Sequence, residues 1–201
     1  YSFGHTEIIN KEGAIIYADG GEFRTEISQT EISSGNIETS EYILDGDKLF
    51  FDDFNQYYLG EGNVKLTSKE NNLILLGDEG YHDKVNGYSK IYGNAIMKKI
   101  MKLDTFYIAA DTMMAIESEY DSIRRILAYP DIRIFKMNVQ GIADSSAYLL
   151  ADSIIMLYQN PVLWTGENQV LSDTIAIHLN DSSIEKMDLK RNAFLITQDS
   201  V

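Results

Sequence analysis

The sequence predicts an all-β fold, an open antiparallel β-jelly roll that is twisted, has open ends and is built from about six repeated three-strand units. Three observations predict it: a repeat of about thirty residues, apolar residues that alternate with polar ones, and many tyrosines, phenylalanines and isoleucines. The chain has 201 residues, which is enough to bury a continuous core.

The first landmark of the repeat is a small residue followed by aspartate. It occurs six times, and the steps between successive aspartates are 28, 31, 33, 33 and 29 residues. The copies are Ala18-Asp19, Gly46-Asp47, Gly77-Asp78, Ala110-Asp111, Ala143-Asp144 and Ser172-Asp173. Repeats of this length indicate structural units that stack on one another.

The second landmark is a turn-forming pair followed by alternating apolar residues. Counted from the second residue, with Asn192 used for the last copy, its steps are 27, 31, 37, 30 and 31 residues. The copies are Gly35-Asn36-Ile37, Gly62-Asn63-Val64-Lys65-Leu66, Gly93-Asn94-Ala95-Ile96, Pro130-Asp131-Ile132-Arg133-Ile134, Asn160-Pro161-Val162-Leu163-Trp164 and Asn192-Ala193-Phe194-Leu195-Ile196. Two landmarks with matching spacing predict a turn and a strand in every unit.

We expect a single domain over residues 1–201, with a weak seam near 115–130 where one step lengthens to 37 residues. Residues 112–127 are the one helix candidate, because Met113, Ile116 and Tyr120 could form a stripe on a helix. The alternative is a strand, an acidic loop at Glu117-Ser118-Glu119 and another strand.

Composition excludes several functions. The formal net charge of −14 argues against nucleic acid and against a general affinity for anionic membranes. Cysteine is absent, which rules out disulfides, thiol nucleophiles and cysteine-bound metals. His5, His82 and His178 lack ligands at metal spacing, and no nucleophile or phosphate-loop motif is present. We therefore expect no metal, no cofactor and no catalytic residues.

Two architectures fit stacked β units, a parallel β-helix and an antiparallel roll of two facing sheets. Short polar turns such as residues 68–72 favour antiparallel strands, since parallel strands need longer crossings. Both architectures leave unpaired strand edges at their ends. Such edges could stack onto another copy or a related domain by strand addition.

The combination of Gly-Asn-Val, alternating apolar residues, small-Asp and then an aromatic residue resembles the OstA/LptA family, the organic-solvent-tolerance and lipopolysaccharide-transport proteins. The resemblance covers about residues 12–197. It is clearest from Gly60-Glu61-Gly62-Asn63-Val64-Lys65-Leu66 through Gly77-Asp78-Glu79-Gly80-Tyr81. A second clear stretch runs from Asn160-Pro161-Val162-Leu163-Trp164 through Ser172-Asp173-Thr174-Ile175.

The resemblance implies a periplasmic protein, free or attached to the outer membrane, and not an enzyme. Proteins of this family bind the acyl chains of lipopolysaccharide between two sheets of a twisted open jelly roll. They join head to tail as a bridge, and the same domain forms the soluble part of the outer-membrane translocon. The expected partners are therefore lipopolysaccharide, other transport jelly rolls that stack through edge strands, and further copies of this chain.

Strand alternation supplies candidates for the apolar slot that such a lipid needs. As a set they are Leu49, Phe51, Val64, Leu66, Leu73, Leu75, Tyr81, Ile96, Phe106, Ile108, Ile132, Ile134, Val162, Trp164, Ile175 and Ile177. The alternative is that these residues only fill a dry core, because a one-residue error in register moves a side chain to the other face. Clustered basic residues such as Lys98, Lys99 and Lys102 could meet lipid phosphates or be ordinary surface charges.

Two other functions remain open from the sequence. One is a parallel β-helix enzyme that acts on polysaccharide, for which Asp45, Asp47, Asp52 and Asp53 supply carboxylates. Four carboxylates around one turn are more simply a solvated turn. The other is a structural polymer of stacked β units without a ligand.

Overall fold

The structure is a computed structural model that describes residues 2–9, 13–116 and 124–197. Within these ranges it has eighteen β-strands, one short 3-10 turn at Thr25–Ile27 and no α-helix. No helix in the described part of the chain has the length and apolar character needed to cross a bilayer. The all-β class is thereby confirmed, and so is the total of eighteen strands that six three-strand units imply.

The chain divides into two compact units, residues 1–95 and 96–201, with the division inside β7. In the first unit each strand pairs antiparallel with the next from β1 to β6. Its strands are β1 Ser2–Ile9, β2 Ile15–Arg24, β3 Gln29–Glu38, β4 Tyr42–Asp52, β5 Tyr57–Ser68, β6 Leu73–Asp83 and β7 Tyr88–Ile100.

The second unit has one long strand followed by ten short ones. They are β8 Thr105–Ile116, β9 Arg125–Tyr129, β10 Ile132–Lys136, β11 Val139–Ala143, β12 Ser145–Leu149, β13 Ile154–Tyr158, β14 Val162–Thr165, β15 Asn168–Leu171, β16 Thr174–Leu179, β17 Ile184–Lys190 and β18 Phe194–Thr197. All of their recorded pairings are antiparallel, which contradicts the parallel β-helix alternative.

Strand β8 belongs to two sheets of the second unit. Its first half pairs with β10, and that sheet continues through β11, β14, β15 and β18. Its second half pairs with β9, and that sheet continues through β12, β13, β16 and β17. We call them sheet A and sheet B. Each buries one apolar face, and the two buried faces cover one another because the unit has no other described layer.

The two sequence landmarks lie at the corners where the chain passes between sheets. In the second unit, a small-Asp or a turn-forming pair occupies every passage between sheet A and sheet B, as at residues 110–111, 130–131 and 172–173. In the first unit the same landmarks form bulges inside continuous long strands, for example between Asp45 and Lys48. Each thirty-residue repeat therefore contains two corners.

Left-handed backbone explains the asparagines of the second landmark. Asn63, Asn94 and Asn192 have φ values of 50°, 53° and 45°, and Gly62 and Gly93 both have φ of 71°. Glycine, asparagine and aspartate adopt this conformation at least cost among the residues. The backbone of the corner thus selects these residue types.

Side chains join neighbouring corners. The Asn63 amide donates to Asp47 at 2.8 Å, and Asn94 donates to Asp78 at 2.8 Å. In the second unit Asn192 donates to Asp173 at 3.0 Å. We call this Asn–Asp pair the corner clasp. In these three pairs the aspartate of one corner meets the asparagine of the next, which links the spacing of the two landmarks there.

The bent strands of the first unit fold around their own core. Ile16 and Ile37, on one side of the bends, cluster with Ile32, Leu49 and Phe51 on the other side. Glycine provides the space where the two halves approach. A Cβ atom at Gly80 would lie 2.9 Å from Cγ1 of the buried Val64, and one at Gly60 would lie 3.1 Å from its Cγ2.

Two details of the expected organisation differ or stay untested. A repeat contains two long bent strands in the first unit and four short ones in the second, not three, because every corner either bends a strand or breaks it. Residues 112–116 and 125–129 are strands, as in the alternative to a helix, whereas the acidic loop lies outside the described residues. The single-domain organisation stays a prediction, and the expected seam near 115–130 includes residues 117–123, which lie outside the described residues.

We expect the corner clasp to be measurable at Asn63. Asn63→Gly removes the hydrogen bond to Asp47 but keeps the left-handed backbone accessible, so it should cost about 0.5–1.5 kcal/mol. Asn63→Ala also strains the backbone and should cost about 1 kcal/mol more. Urea unfolding of both variants measures the difference. An alanine variant as stable as the glycine variant would contradict the role given to the backbone.

Candidate functional site

The candidate site is the apolar inner face of the strands. Most of the predicted slot residues lie on it and are buried. They are Leu49, Phe51, Val64, Leu73, Leu75, Phe106, Ile108, Ile132, Ile134, Ile175 and Ile177. Leu66 shares this face and is half-buried. Their contact with lipid stays a prediction.

Four predicted residues lie on the opposite face. Tyr81 contacts the outward Tyr57 and Tyr88 rings, at centroid distances of 5.0 and 5.5 Å. Ile96 lies between the buried Ala95 and Met97, so its side chain points outward. Val162 and Trp164 flank the fully buried Leu163, and Trp164 is 39% exposed. The expected burial of Trp164 was therefore wrong.

These errors follow a rule that the structure reveals at the corners. Across a small-Asp corner the nearest buried residues are five positions apart, as in Leu75 and Gly80 or Ile108 and Met113. If the inward-facing residues before such a corner have odd numbers, those after it therefore have even numbers, and the reverse also holds. Alternation carried unchanged through Gly77-Asp78 assigns Tyr81 to the wrong face.

Across the corners of the second landmark the corresponding spacing is four positions. Examples are Ile91 and Ala95, and Ala128 and Ile132. Inward-facing residues that have odd numbers before such a corner therefore also have odd numbers after it. This rule makes Met97 and Leu163 inward and Ile96 and Trp164 outward. Sequence reasoning missed several inward residues for this reason. They are Met97, Met113, Ile126, Tyr148, Ile155, Leu157 and Leu163.

A buried cation interrupts the inner face of sheet A near its hairpin turns. Lys136 follows Ile132 and Ile134 on the inward side, and its ammonium lies 3.3 Å from the Asp104 carboxylate. Asp104 also accepts hydrogen bonds from the amides of Thr105 and Met137, at 2.7 and 3.0 Å. These two amides, with a smaller contribution from Lys136, hold the pKa of Asp104 below its usual value.

The last two strands leave the inner face open. Leu195 of β18 pairs with Val170 on the inward side but is 59% exposed, and Leu189 of β17 pairs with Ile175 and is 36% exposed. One strand further in, Ile175 and Ile177 have no exposed surface. Each of β17 and β18 has one partner strand among the described residues. The apolar interior thus reaches solvent at an unpaired edge.

The hairpin turns of sheets A and B meet at one place in the second unit. The Lys102 amide of the β7–β8 turn donates to the carbonyl oxygen of Asp181 in the β16–β17 turn at 2.8 Å. The Lys102 ammonium lies 3.8 Å from the Asp181 carboxylate. This contact spans the side of the sandwich that lies opposite the corners.

The carboxylates near residues 45–53 have separate partners. Asp45 lies 3.4 Å from the Lys65 ammonium, Asp47 belongs to a corner clasp, and Asp52 accepts from Asn55 and Gln29. The hydrogen bonds from Asn55 lower the pKa of Asp52. Among the residues that the structure describes, no three histidines or carboxylates converge as metal ligands would.

Antiparallel strands that bury an apolar face in each unit define this chain as having an LptA-like β-jelly-roll fold. It is similar to LptH of Pseudomonas aeruginosa, described as the LptA homologous periplasmic component of the conserved lipopolysaccharide transport device. The TM-score is 0.53 at 9% identity, over 66% of this chain and 99% of LptH. No protein-family profile and no curated protein matches the sequence. The likeness therefore establishes the fold.

The open end predicts unequal costs for truncating two inward residues. Ile177→Ala should destabilise the second unit by about 2–5 kcal/mol, because its side chain has no exposed surface. Leu195→Ala should cost less than about 1 kcal/mol, because more than half of that side chain is already in water. Urea unfolding monitored by Trp164 fluorescence measures both. Equal costs would show that β18 is covered in solution.

The Asp104–Lys136 pair predicts a pH dependence. A lowered folded-state pKa stabilises the protein above the unfolded value of about 3.9, and this stabilisation is lost as the pH falls through the folded value. Asp104→Asn should therefore lower the melting temperature at pH 6, and the gap to the parent should narrow below about pH 4. Adding Lys136→Met to the Asp104→Asn variant should recover part of the lost melting temperature, because it removes the buried ammonium that Asp104→Asn leaves unpaired. A difference in melting temperature between Asp104→Asn and the parent that does not change with pH would refute the electrostatic role of Asp104.

Proposed function

We propose that this chain binds lipopolysaccharide through its lipid A acyl chains, between the inner faces of the roll, and passes it across the periplasm to the outer membrane. The observation that carries the proposal is the buried apolar face of the second unit, which becomes solvent-exposed at Leu189 and Leu195. The LptA-like fold supports the same function. The protein acts as a bridge or as the N-terminal domain of a translocon.

The chemistry of the inner face suits a lipid in transit. Burial of methylene groups contributes about 0.8 kcal/mol each, so several acyl chains gain affinity without any polar contact. In the second unit, isoleucine, leucine and phenylalanine recur at inward positions, such as Phe106, Leu163 and Ile175. A row of similar sites lets a lipid move stepwise, whereas one deep pocket would retain it.

Unpaired edges supply the route to neighbouring proteins. Strands β17 and β18 offer free backbone groups together with half-exposed apolar side chains, which is the combination used in strand addition. The partners are other lipopolysaccharide-transport jelly rolls and further copies of this chain, joined head to tail. The protein works in the periplasm without a cofactor and without catalysing a reaction.

Photo-crosslinking at neighbouring residues of one strand tests the slot. A photoreactive amino acid at Val64 or Ile134, which point inward, should capture lipopolysaccharide. The same group at Lys65 or Arg133 points outward and serves as the matched control. We expect at least about tenfold more adduct from the inward sites, since an outward probe faces water.

Native mass spectrometry of protein purified from a periplasm gives an independent readout. It should show a bound species of lipopolysaccharide mass that Leu195→Asp, at the half-exposed end of the inner face, reduces while circular dichroism stays unchanged. Equal adducts from inward and outward probes, together with a lipid-free mass, would reject the slot. Filaments with a lipid-free interior would favour the structural polymer.

A further inference from the structure

The outward face of sheet A is apolar, although an antiparallel sheet normally turns polar residues toward water. Its large exposed side chains are Phe135, Ile142, Trp164, Phe194 and Ile196. Register places Phe135, Trp164 and Ile196 in one row across the sheet, and Ile142 and Phe194 in the next. Exposed apolar side chains that are contiguous in this way indicate an interaction surface.

The same face has no carboxylate at its strand positions. The outward positions in the two rows are Tyr107, Ala109, Arg133, Phe135, Gln140, Ile142, Val162, Trp164, Gln169, Leu171, Phe194 and Ile196. The one charged residue among them is Arg133. In a chain with 31 acidic residues out of 201, twelve such positions would contain about two carboxylates on average. The face is therefore depleted of the charge that dominates the rest of the chain.

Two apolar turn tips border this face. Leu103 in the β7–β8 turn is 78% exposed, and Met137 in the β10–β11 turn is 77% exposed. The Asp104 carboxylate joins the two turns by accepting from the Met137 amide at 3.0 Å. Adjacent tips with large apolar side chains in water gain free energy when they enter a hydrocarbon layer.

Basic residues lie near these tips. Lys98 is on the outward side of β7, and its ammonium lies 6.0 Å from the centroid of the Tyr107 ring. Arg133 lies on the outward side of the neighbouring strand β10. Lys102 is in the β7–β8 turn, where its ammonium lies 3.8 Å from the Asp181 carboxylate. This end of sheet A thus combines two outward cations, aromatic rings and exposed apolar tips.

We propose that this surface, formed by the tips Leu103 and Met137 and the outward face of sheet A, docks onto an anionic lipid bilayer. The tips enter the boundary between headgroups and acyl chains, Trp164 and Tyr107 lie at the headgroup level, and Lys98 and Arg133 meet lipid phosphates. The docking uses the outer surface and requires no occupancy of the inner slot.

Charge favours a lipid surface over a second copy of the chain. Two copies packed through this face would bring Arg133 and Lys98 of each close to those of the other, between chains that each have a net charge of −14. A bilayer with anionic headgroups instead offers the opposite charge to the only cations at the contact. Screening over about 8 Å in physiological salt limits repulsion from acidic residues farther away.

Trp164 makes the proposal testable without labelling, because it is the only tryptophan. Vesicles of phosphatidylglycerol and phosphatidylcholine should shift its emission to shorter wavelength, and brominated acyl chains should quench it. Vesicles of phosphatidylcholine alone should bind at least about tenfold more weakly. The double variant Leu103→Ser/Met137→Ser should also lower the partition coefficient on anionic vesicles at least about tenfold.

A relocated tryptophan provides the matched control. Trp164→Phe/Phe54→Trp moves the fluorophore to the β4–β5 turn of the first unit, where Phe54 is 82% exposed. This variant should sediment with anionic vesicles like the parent but show no emission shift. An absent shift in the parent, an equal shift at position 54, or unchanged binding by the tip variant would overturn the proposal. Dimers that disappear with Phe135→Ser, without any vesicle binding, would also overturn it.

Discussion

The corner is the constraint on which the rest of the structure depends. An antiparallel roll needs the chain to pass from one sheet to the other about every fifteen residues, and the passages at the second landmark place residues in left-handed backbone, as at Asn94 and Asn192. Asparagine and glycine relieve that strain, and aspartate fixes the next corner through its carboxylate. The Asn63–Asp47 and Asn192–Asp173 pairs show the same solution in both units. Repetition in the sequence is therefore repetition of corners, with the strands fitted between them.

Corners also explain how much the sequence could predict. The all-β class, the stacking period and eleven inward residues follow from landmarks and alternation, because both are local patterns. Which residues of a strand point inward beyond a corner depends on whether the corner spans an odd or an even number of positions. Tyr81 and Trp164 were misassigned because alternation alone does not contain that number. The inward position of Lys136 was not predicted for another reason. A lysine is tolerated there only because the Asp104 carboxylate and the Asn138 amide lie within reach, and alternation does not show such partners.

Proline explains part of the division of the chain into long bent strands and short broken ones. At Gly62-Asn63 the left-handed pair lies inside a continuous strand, whereas at residues 130–131 and 160–161 proline removes a backbone donor and ends the ladder. The breaks at residues 143–144, 172–173 and 191–193 contain no proline. Proline therefore accounts for two of the five corners at which strands of the second unit break.

The second unit has two kinds of apolar surface, and the two proposals assign a different role to each. The inner face is exposed at Leu189 and Leu195, and under the proposed function acyl chains would enter there. The outer face of sheet A is exposed and has Lys98 beside Tyr107, which suits an assembled lipid layer better than an isolated acyl chain. The Lys136–Asp104 ion pair lies between the two surfaces, so charged groups separate the surfaces at the turn end. Docking at the outer face and transfer along the inner one are then compatible in the same molecule.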